Sequence, residues 1–346
     1  MDSDAGFDQI PKSIASHSSG TDPKTEIETP MFEIKQLPGK GKGLVARVDI
    51  SEGTRILCEK PLLAVHGSIP PEELELVLAA KLKTMTKAQQ RQFFSLHNNF
   101  PGKNVLRAIV KTNGLPCGPG SNEGGVYPTI CLINHSCLPN SHNNWNSQAE
   151  HETIHAIRPI RAGEEITIPY DHGGPSAARQ AFLKQAFGFD CQCAICTLPP
   201  DQLRESDTRR LAMQDLDEAI GDPMRMATKP AESLRDCQTM LRTLDKEFAG
   251  HTGAHSCRLY YDAFQICVSH GDQARAGVFA EKAYQARVCV EGEDSPETQR
   301  MKSFSRKPSL HENHAKASTD WKTKKSMVPR GLDEAQFEVW LFRDRR

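Results

Sequence analysis

The spacing of apolar and polar positions changes several times along the chain. Residues 1–30 show no period. They are polar, with Ser16, Ser18, Ser19 and Gly20 and few large apolar groups. Such a segment cannot bury enough surface to offset the entropy of ordering, so a disordered tail is expected. From Met31 short β-like runs follow one another, broken by Gly and Pro. Residues 31–34, 43–47, 55–59 and 62–65 read as strands, with turn signals at Pro38-Gly39 and Glu52-Gly53. The period then becomes helical. Leu74, Val77, Leu78, Leu82 and Met85 recur at helical spacing after Pro70-Pro71, which suits a first turn. Thr86 reads as the N-cap of a second helix carrying Phe93, Phe94 and Leu96. Residues 68–100 are therefore expected to be a helical insertion between β segments. β texture returns at 130–133, 153–157 and 165–168, and a helix is expected over 177–187.

After Pro199-Pro200 the helical period dominates. Tyr260, Ala263, Phe264 and Cys267 form one apolar stripe, and Val278, Phe279, Ala283 and Ala286 another, with His270-Gly271-Asp272 as the turn between them. Ser295-Pro296-Glu297 has the form of a helix start. Residues 301–330, rich in Lys, Ser and His, read as a loose, mildly basic segment. Residues 336–342 form a short amphipathic end that could dock back on the body. The pattern as a whole predicts an α+β chain. Short strands with a helical insertion occupy 31–185, an all-helical region 201–300, and a loosely structured tail 301–346.

Composition narrows the function classes. The 346 residues suit two domains, or one large domain with additions. Lys and Arg total 43 against 44 Asp and Glu, a net charge of −1. That balance argues against a protein that works mainly by gripping phosphates. The 11 cysteines are odd in number and unevenly spaced, a poor match to a disulfide framework. With no charged leader before an apolar stretch and no long apolar run, an intracellular, soluble protein in a reducing compartment is expected. Clustered cysteines there point to metal.

Four local signals carry chemistry. In Cys191-Gln192-Cys193-Ala194-Ile195-Cys196, three cysteines fall within six residues. This fits thiolate coordination of zinc, which takes four ligands in structural sites, so one must come from elsewhere. Asn134-His135-Ser136-Cys137-Leu138-Pro139-Asn140 follows an apolar run and offers Cys137, with His135 competing, as the missing ligand; spacing does not separate them. Gly163-Glu164-Glu165-Ile166-Thr167-Ile168-Pro169-Tyr170 places a tyrosine at the end of a strand, ordinarily a structural position. Lys40-Gly41-Lys42-Gly43-Leu44 indicates a tight turn or a close approach. It is neither a P-loop nor a dinucleotide fingerprint.

In this order and spacing the four signals resemble a SET domain with its post-SET zinc segment, nearest to the SET-and-MYND type. Gly125-Val126-Tyr127-Pro128-Thr129-Ile130 is also typical of that group. The resemblance covers residues 31–200 strongly and 201–300 loosely. The MYND finger is missing, since residues 68–100 hold no cysteine, and Pro169 stands where many SET domains have Asp. The resemblance implies S-adenosylmethionine-dependent methylation of protein lysines. It implies Lys40, Gly41, Lys42, Asn113, Asn134, His135, Tyr170 and Phe189 as cofactor contacts, with Phe189 packing on the adenine and Tyr170 as the catalytic tyrosine. It assigns Cys137, Cys191, Cys193 and Cys196 as zinc ligands within a post-SET segment at 186–200. It also implies a TPR-like C-terminal region over 201–300. The partner is a protein substrate presenting a lysine, with further protein partners on the helical region. No membrane or direct nucleic-acid partner is expected, and the location is the nucleus or the cytoplasm. The rival reading is an inactive SET module acting as a scaffold through its helical region. A zinc hydrolase fits poorly, because no His-Glu-x-x-His is present and four cysteines leave no position for water.

Overall fold

The computed structural model describes residues 30–171 and 173–344. The tail expected over 1–30 lies almost wholly outside the described residues. The chain is a mixed α+β fold. It opens with β1 (Phe32–Leu37) and β2 (Gly41–Ala46), an antiparallel hairpin in which Phe32 faces Ala46 and Leu37 faces Gly41. Gly39 and Gly41, at φ +71° and +74°, take the left-handed backbone this tight turn requires. β3 (Arg55–Glu59) and β4 (Leu63–His66) follow. Then come α1 (Pro71–Thr84), α2 (Lys87–Phe94) and α3 (Val105–Asn113). The chain returns through β5 (Gly114–Pro116), β6 (Glu123–Val126), β7 (Asn134–His135), β8 (Ser141–Asn146), β9 (His151–Ala156) and β10 (Glu165–Ile168).

Three small sheets result, ordered β1-β2-β10-β7, β3-β9-β8 and β4-β6-β5. The first two share a core containing Leu44, Ile130, Ile133, Ile154, Ile166 and Ile168, all nearly or fully buried, while Leu63 and Val126 of the third pack with the insertion helices. The helical insertion leaves and re-enters between the paired strands β4 and β6, so its ends are already close. Thr86 caps α2 as expected: its hydroxyl accepts from Gln89 N–H, and its own N–H donates to the Gln89 side chain. The insertion is longer than 68–100, because α3 packs on α1. Val105, Ile109, Val110 and Thr112 are β-branched, which lowers the helix propensity of α3.

Residues 130–133 do not form the expected strand. Ile130–Leu132 is one 3-10 turn. The Glu59 carboxylate accepts the N–H groups of Thr129 and Ile130 at 3.0–3.1 Å, so these amides need no neighbouring strand.

Then follow α4 (Ser176–Phe187), α5 (Pro200–Gly221), α6 (Pro223–Thr228), α7 (Pro230–Phe248), α8 (Gly253–Ser269), α9 (Gln273–Glu291), α10 (Pro296–Arg306) and α11 (Glu334–Leu341). The α8–α9 turn falls at His270-Gly271, and Asp272 caps α9 by accepting from Arg275 N–H. The helical region does not stand apart, since α9 packs on β8 and β9. The segment after α10 is not loose. Ala315 N–H and Ala317 N–H donate to Val268 and Ser269 carbonyls, and the Thr323 hydroxyl donates to buried Asp272. α11 docks back, burying Leu341 and Phe342, with the Phe342 ring 5.3 Å from that of Phe279. Among the described residues no helix is long and apolar enough to cross a membrane.

One buried ionic knot fastens the helices. The Glu247 carboxylate of α7 accepts from Ser206 Oγ at 2.6 Å, Arg209 Nε at 2.8 Å and Arg210 Nε at 2.5 Å, all on α5. Removing one partner from a buried charge strands the other. Glu247→Met is expected to lower the urea-unfolding free energy by about 3–5 kcal/mol. Arg209→Met, at the half-exposed rim, should cost far less; equal losses would show that Glu247 is not the centre of the knot.

Candidate functional site

The parallel pairing of β7 with β10 builds the site. It sets Asn134 beside Thr167 and His135 beside Ile168, so the two polar motifs end at one place. The glutamates of the Gly-Glu-Glu turn then each hold one asparagine of the other motif. Glu164 accepts from Asn140 Nδ2 at 3.0 Å. Glu165 accepts from Asn134 Nδ2 at 2.9 Å and from Lys40 Nζ at 2.6 Å. Asn134 also donates to the Lys42 carbonyl at 3.2 Å. One carboxylate thus gathers three stretches of sequence. Gly43 lets β2 pass beneath them: a Cβ there would lie 2.8 Å from Asn134 Nδ2.

The result is a cleft of about 1070 Å³. Lys40, Gly41, Lys42, Asn113, Asn134, His135, Tyr170 and Phe189 all line it. Their individual geometry is more specific than the sequence suggests. Asn113 spends both amide hydrogens on the His97 and Ile109 carbonyls, at 2.7 and 2.8 Å, so its side chain fastens the cleft wall. Leu96, His97 and Asn98, from the end of the insertion, also face the cleft, as does Phe187; no motif signals any of them.

Tyr170 packs against Phe187, ring centres 4.8 Å apart. Its hydroxyl donates to the Ile133 carbonyl at 2.6 Å, and burial pushes the phenol pKa up, so it keeps its proton. His135 Nδ1 accepts the Tyr170 backbone N–H at 2.9 Å. Burial pushes this imidazole below its ordinary value, although Asp171 opposes the shift. A neutral ring that accepts at Nδ1 carries its proton on Nε2. Nε2 faces Cys137 Sγ at 3.3 Å and Asp171 Oδ2 at 3.5 Å. The ring of His135 thus ties the Tyr170 backbone to the sulfur beneath it.

That sulfur belongs to a cluster. Cys137, Cys191, Cys193 and Cys196 bring their Sγ atoms within 4.8 Å of one another. Cys137 Sγ lies 3.9 Å from Cys191 Sγ and 3.6 Å from Cys196 Sγ. Four sulfurs about 2.3 Å from a tetrahedral zinc stand ~3.8 Å apart, so the donor set fits that ion. The thiols cannot all ionise side by side. Hydrogen bonding from Cys191 pushes Cys137 up, and hydrogen bonding from Cys137 pulls Cys193 down. A divalent cation relieves this crowding. A second group, His135, Cys137 and Asp171, shares the same cysteine; geometry thus leaves His135 as a neighbour of the four-sulfur set.

The SET domain family matches residues 41–171. The chain is 31% identical over 287 residues to histone-lysine N-methyltransferase set5 of Schizosaccharomyces pombe, covering 82% of this chain and 86% of that one. It is 26% identical over 215 residues to human N-lysine methyltransferase SMYD2, covering 56% of this chain and 49% of the relative. The SMYD2-B protein of Danio rerio is 27% identical over 214 residues, 55% of this chain and 48% of the relative.

Elemental analysis of the purified protein is expected to find one zinc per chain. Cys193→Ser should lose both the metal and thermal stability. A variant that keeps its zinc and melts like the parent would refute the cluster as a metal site.

Proposed function

The chain belongs to the SET-domain family, and from that premise we propose that it is an S-adenosylmethionine-dependent methyltransferase acting on the side-chain amine of lysine in a protein substrate. One observation supports the reading above others. The 40–42 loop, Asn134, His135, Tyr170 and Phe189 come from separate stretches of sequence and line a single cleft. The cleft is lined by glycines and amide side chains and by the rings of Tyr170, Phe187 and Phe189, which pack on one another. That mix suits a ligand with polar and flat apolar portions, and the volume suffices for a nucleoside-sized molecule beside an alkyl amine.

S-adenosylmethionine, when bound, supplies a methyl carbon on a sulfonium, which a neutral amine takes by in-line displacement as the carbon–sulfur bond breaks. The chain's own residues have three tasks. The first is deprotonation: with a pKa of about 10.4, roughly one free lysine in a thousand is neutral at pH 7.4. The apolar walls formed by Tyr170 and Phe187 disfavour an ammonium by desolvation. The second is orientation. Tyr170 is fixed through its backbone by His135 and through its hydroxyl by Ile133, so its oxygen offers lone pairs at a set position. The third is closure. Gly188, at φ +79°, ends α4 and turns Phe189 toward the cleft, and the four-cysteine knot fastens the segment just beyond. Zinc in that knot is structural, because four cysteines leave it no open position.

In this reading residues 31–185 are the SET domain, 186–200 its zinc-bearing extension, and 201–300 a helical region offering a surface to protein partners. The protein works inside the cell, in the nucleus or the cytoplasm.

Radiolabel transfer from S-adenosylmethionine to proteins of a cell lysate tests the activity. Wild type is expected to label at least one band, and Tyr170→Phe to label it about 10²-fold more slowly through lost alignment. Equal labelling by both would remove Tyr170 from the reaction. Calorimetric titration separates enzyme from scaffold: wild type should bind the cofactor, whereas Glu165→Ala, which frees Lys40 and Asn134, should bind it at least tenfold more weakly. No binding by wild type would favour the scaffold.

A further inference from the structure

Arg179 sits on α4, between Ala178 and Gln180, where a solvated side chain would be expected. Its side chain is instead wholly buried. Nε points at Cys137 Sγ from 3.3 Å and Nη2 at Cys196 Sγ from 3.8 Å. Nη1 donates to the Gly174 carbonyl. Its nearest carboxylate, Asp207, stands at 4.0 Å and is already committed to the backbone N–H and hydroxyl of Ser176, each at 2.6 Å. Arg210 makes the contrast. It too is buried beside the cluster, donating to the Cys137 carbonyl at 3.1 Å, but its charge is answered by Glu247 at 2.5 Å. Among the described residues Arg179 has no acid so close; Asp207, at 4.0 Å, is its only ion pair.

A buried guanidinium without a close carboxylate needs another anion. Four thiolates around a divalent cation carry a net charge of −2, with Cys137 and Cys191 buried and Cys193 and Cys196 half-buried. Each of these two charges resolves the other. We propose that Arg179 is the positioning residue of the four-cysteine metal site: its guanidinium is the counter-charge of the tetrathiolate and fixes Cys137, the ligand that comes from the far motif. This rests on the reading of the cluster as a zinc site. Cys191, Cys193 and Cys196 arrive together on one short loop, whereas Cys137 must be held in place from outside that loop. Arg179 grips the sulfur of Cys137 and that of Cys196, and so spans the two halves of the site.

The test is the rate at which zinc passes from the folded full-length protein to a chromophoric chelator, for wild type and for Arg179→Lys, Arg179→Gln and Arg179→Met. Zinc content is measured first, and folding is checked by circular dichroism. Arg179→Lys, which keeps the charge, should release zinc within a few-fold of wild type. The neutral variants should release it about 10–100-fold faster, the range found when outer partners of metal ligands are removed. Wild-type rates in both neutral variants would overturn the proposal. So would a slow Arg179→Gln beside a fast Arg179→Met, because that pattern calls for a hydrogen-bond donor and not a charge. Asp207→Asn provides a control that does not depend on the neutral variants folding. It should release zinc at the wild-type rate; an acceleration like that expected for the neutral Arg179 variants would make Arg179 half of an ordinary ion pair and overturn the proposal. Wild type that carries no zinc would instead refute the metal reading itself, and this proposal with it, before any variant is compared.

Discussion

The sulfur of Cys137 is the point on which the rest of the site depends. It lies between His135 Nε2 at 3.3 Å, Arg179 Nε at 3.3 Å and the sulfurs of Cys191 and Cys196. Its own carbonyl takes a hydrogen bond from Arg210. Through His135 the sulfur reaches the backbone of Tyr170. Through the other cysteines it reaches the loop that carries Phe189. Through Arg210 and Glu247 it reaches the helices of the C-terminal half. None of these elements packs a large core against the others locally; the small cluster around Cys137 contains only Leu183, Cys191 and Ile195 among its buried members. Polar and metal-type contacts therefore do there what apolar burial does elsewhere in the molecule.

A second constraint works through the Gly-Glu-Glu turn. Glu165 gathers Lys40 and Asn134, and Glu164 gathers Asn140 and Arg158. The two motifs are spaced widely in sequence, yet each glutamate has one asparagine as its partner. The parallel pairing of β7 and β10 makes this possible, because it aligns Asn134 and His135 with Thr167 and Ile168. Charged hydrogen bonds at Asn134 and the sulfur cluster below His135 thus fasten two neighbouring residues that both line the cleft.

What could be read in the sequence follows from this arrangement. Residues that act through their own chemical type announced themselves: three cysteines in six residues, a glycine turn, an asparagine-histidine motif and a strand-terminal tyrosine. The resemblance that joined them also pointed to one cleft. Residues that act through position did not. Arg179 sits in a run of small and amide side chains and looks exposed until α4 is packed. Glu247 is separated from Arg210 by 36 intervening positions, and only the pairing of α5 with α7 brings them together. Asn113 lines the cleft, and its Nδ2 donates to two carbonyls of the wall, a tie that no motif signals. The turn at Ile130–Leu132 mimics a strand, because its apolar run hides the Glu59 carboxylate that satisfies the amides before it. The Lys- and Ser-rich segment after α10 reads as loose by composition, yet buried Asp272 holds it through Thr323.

The four-cysteine knot, as proposed above, holds the cleft in its binding shape. The most direct measurement is the calorimetric affinity for S-adenosylmethionine of zinc-loaded protein, of the same protein stripped by chelator, and of the stripped protein after zinc is returned. Binding is expected to be lost on stripping and regained on reloading, because Phe189 and Tyr170 depend on the knot for their positions. Stripped protein that binds with the affinity of the loaded form would contradict it.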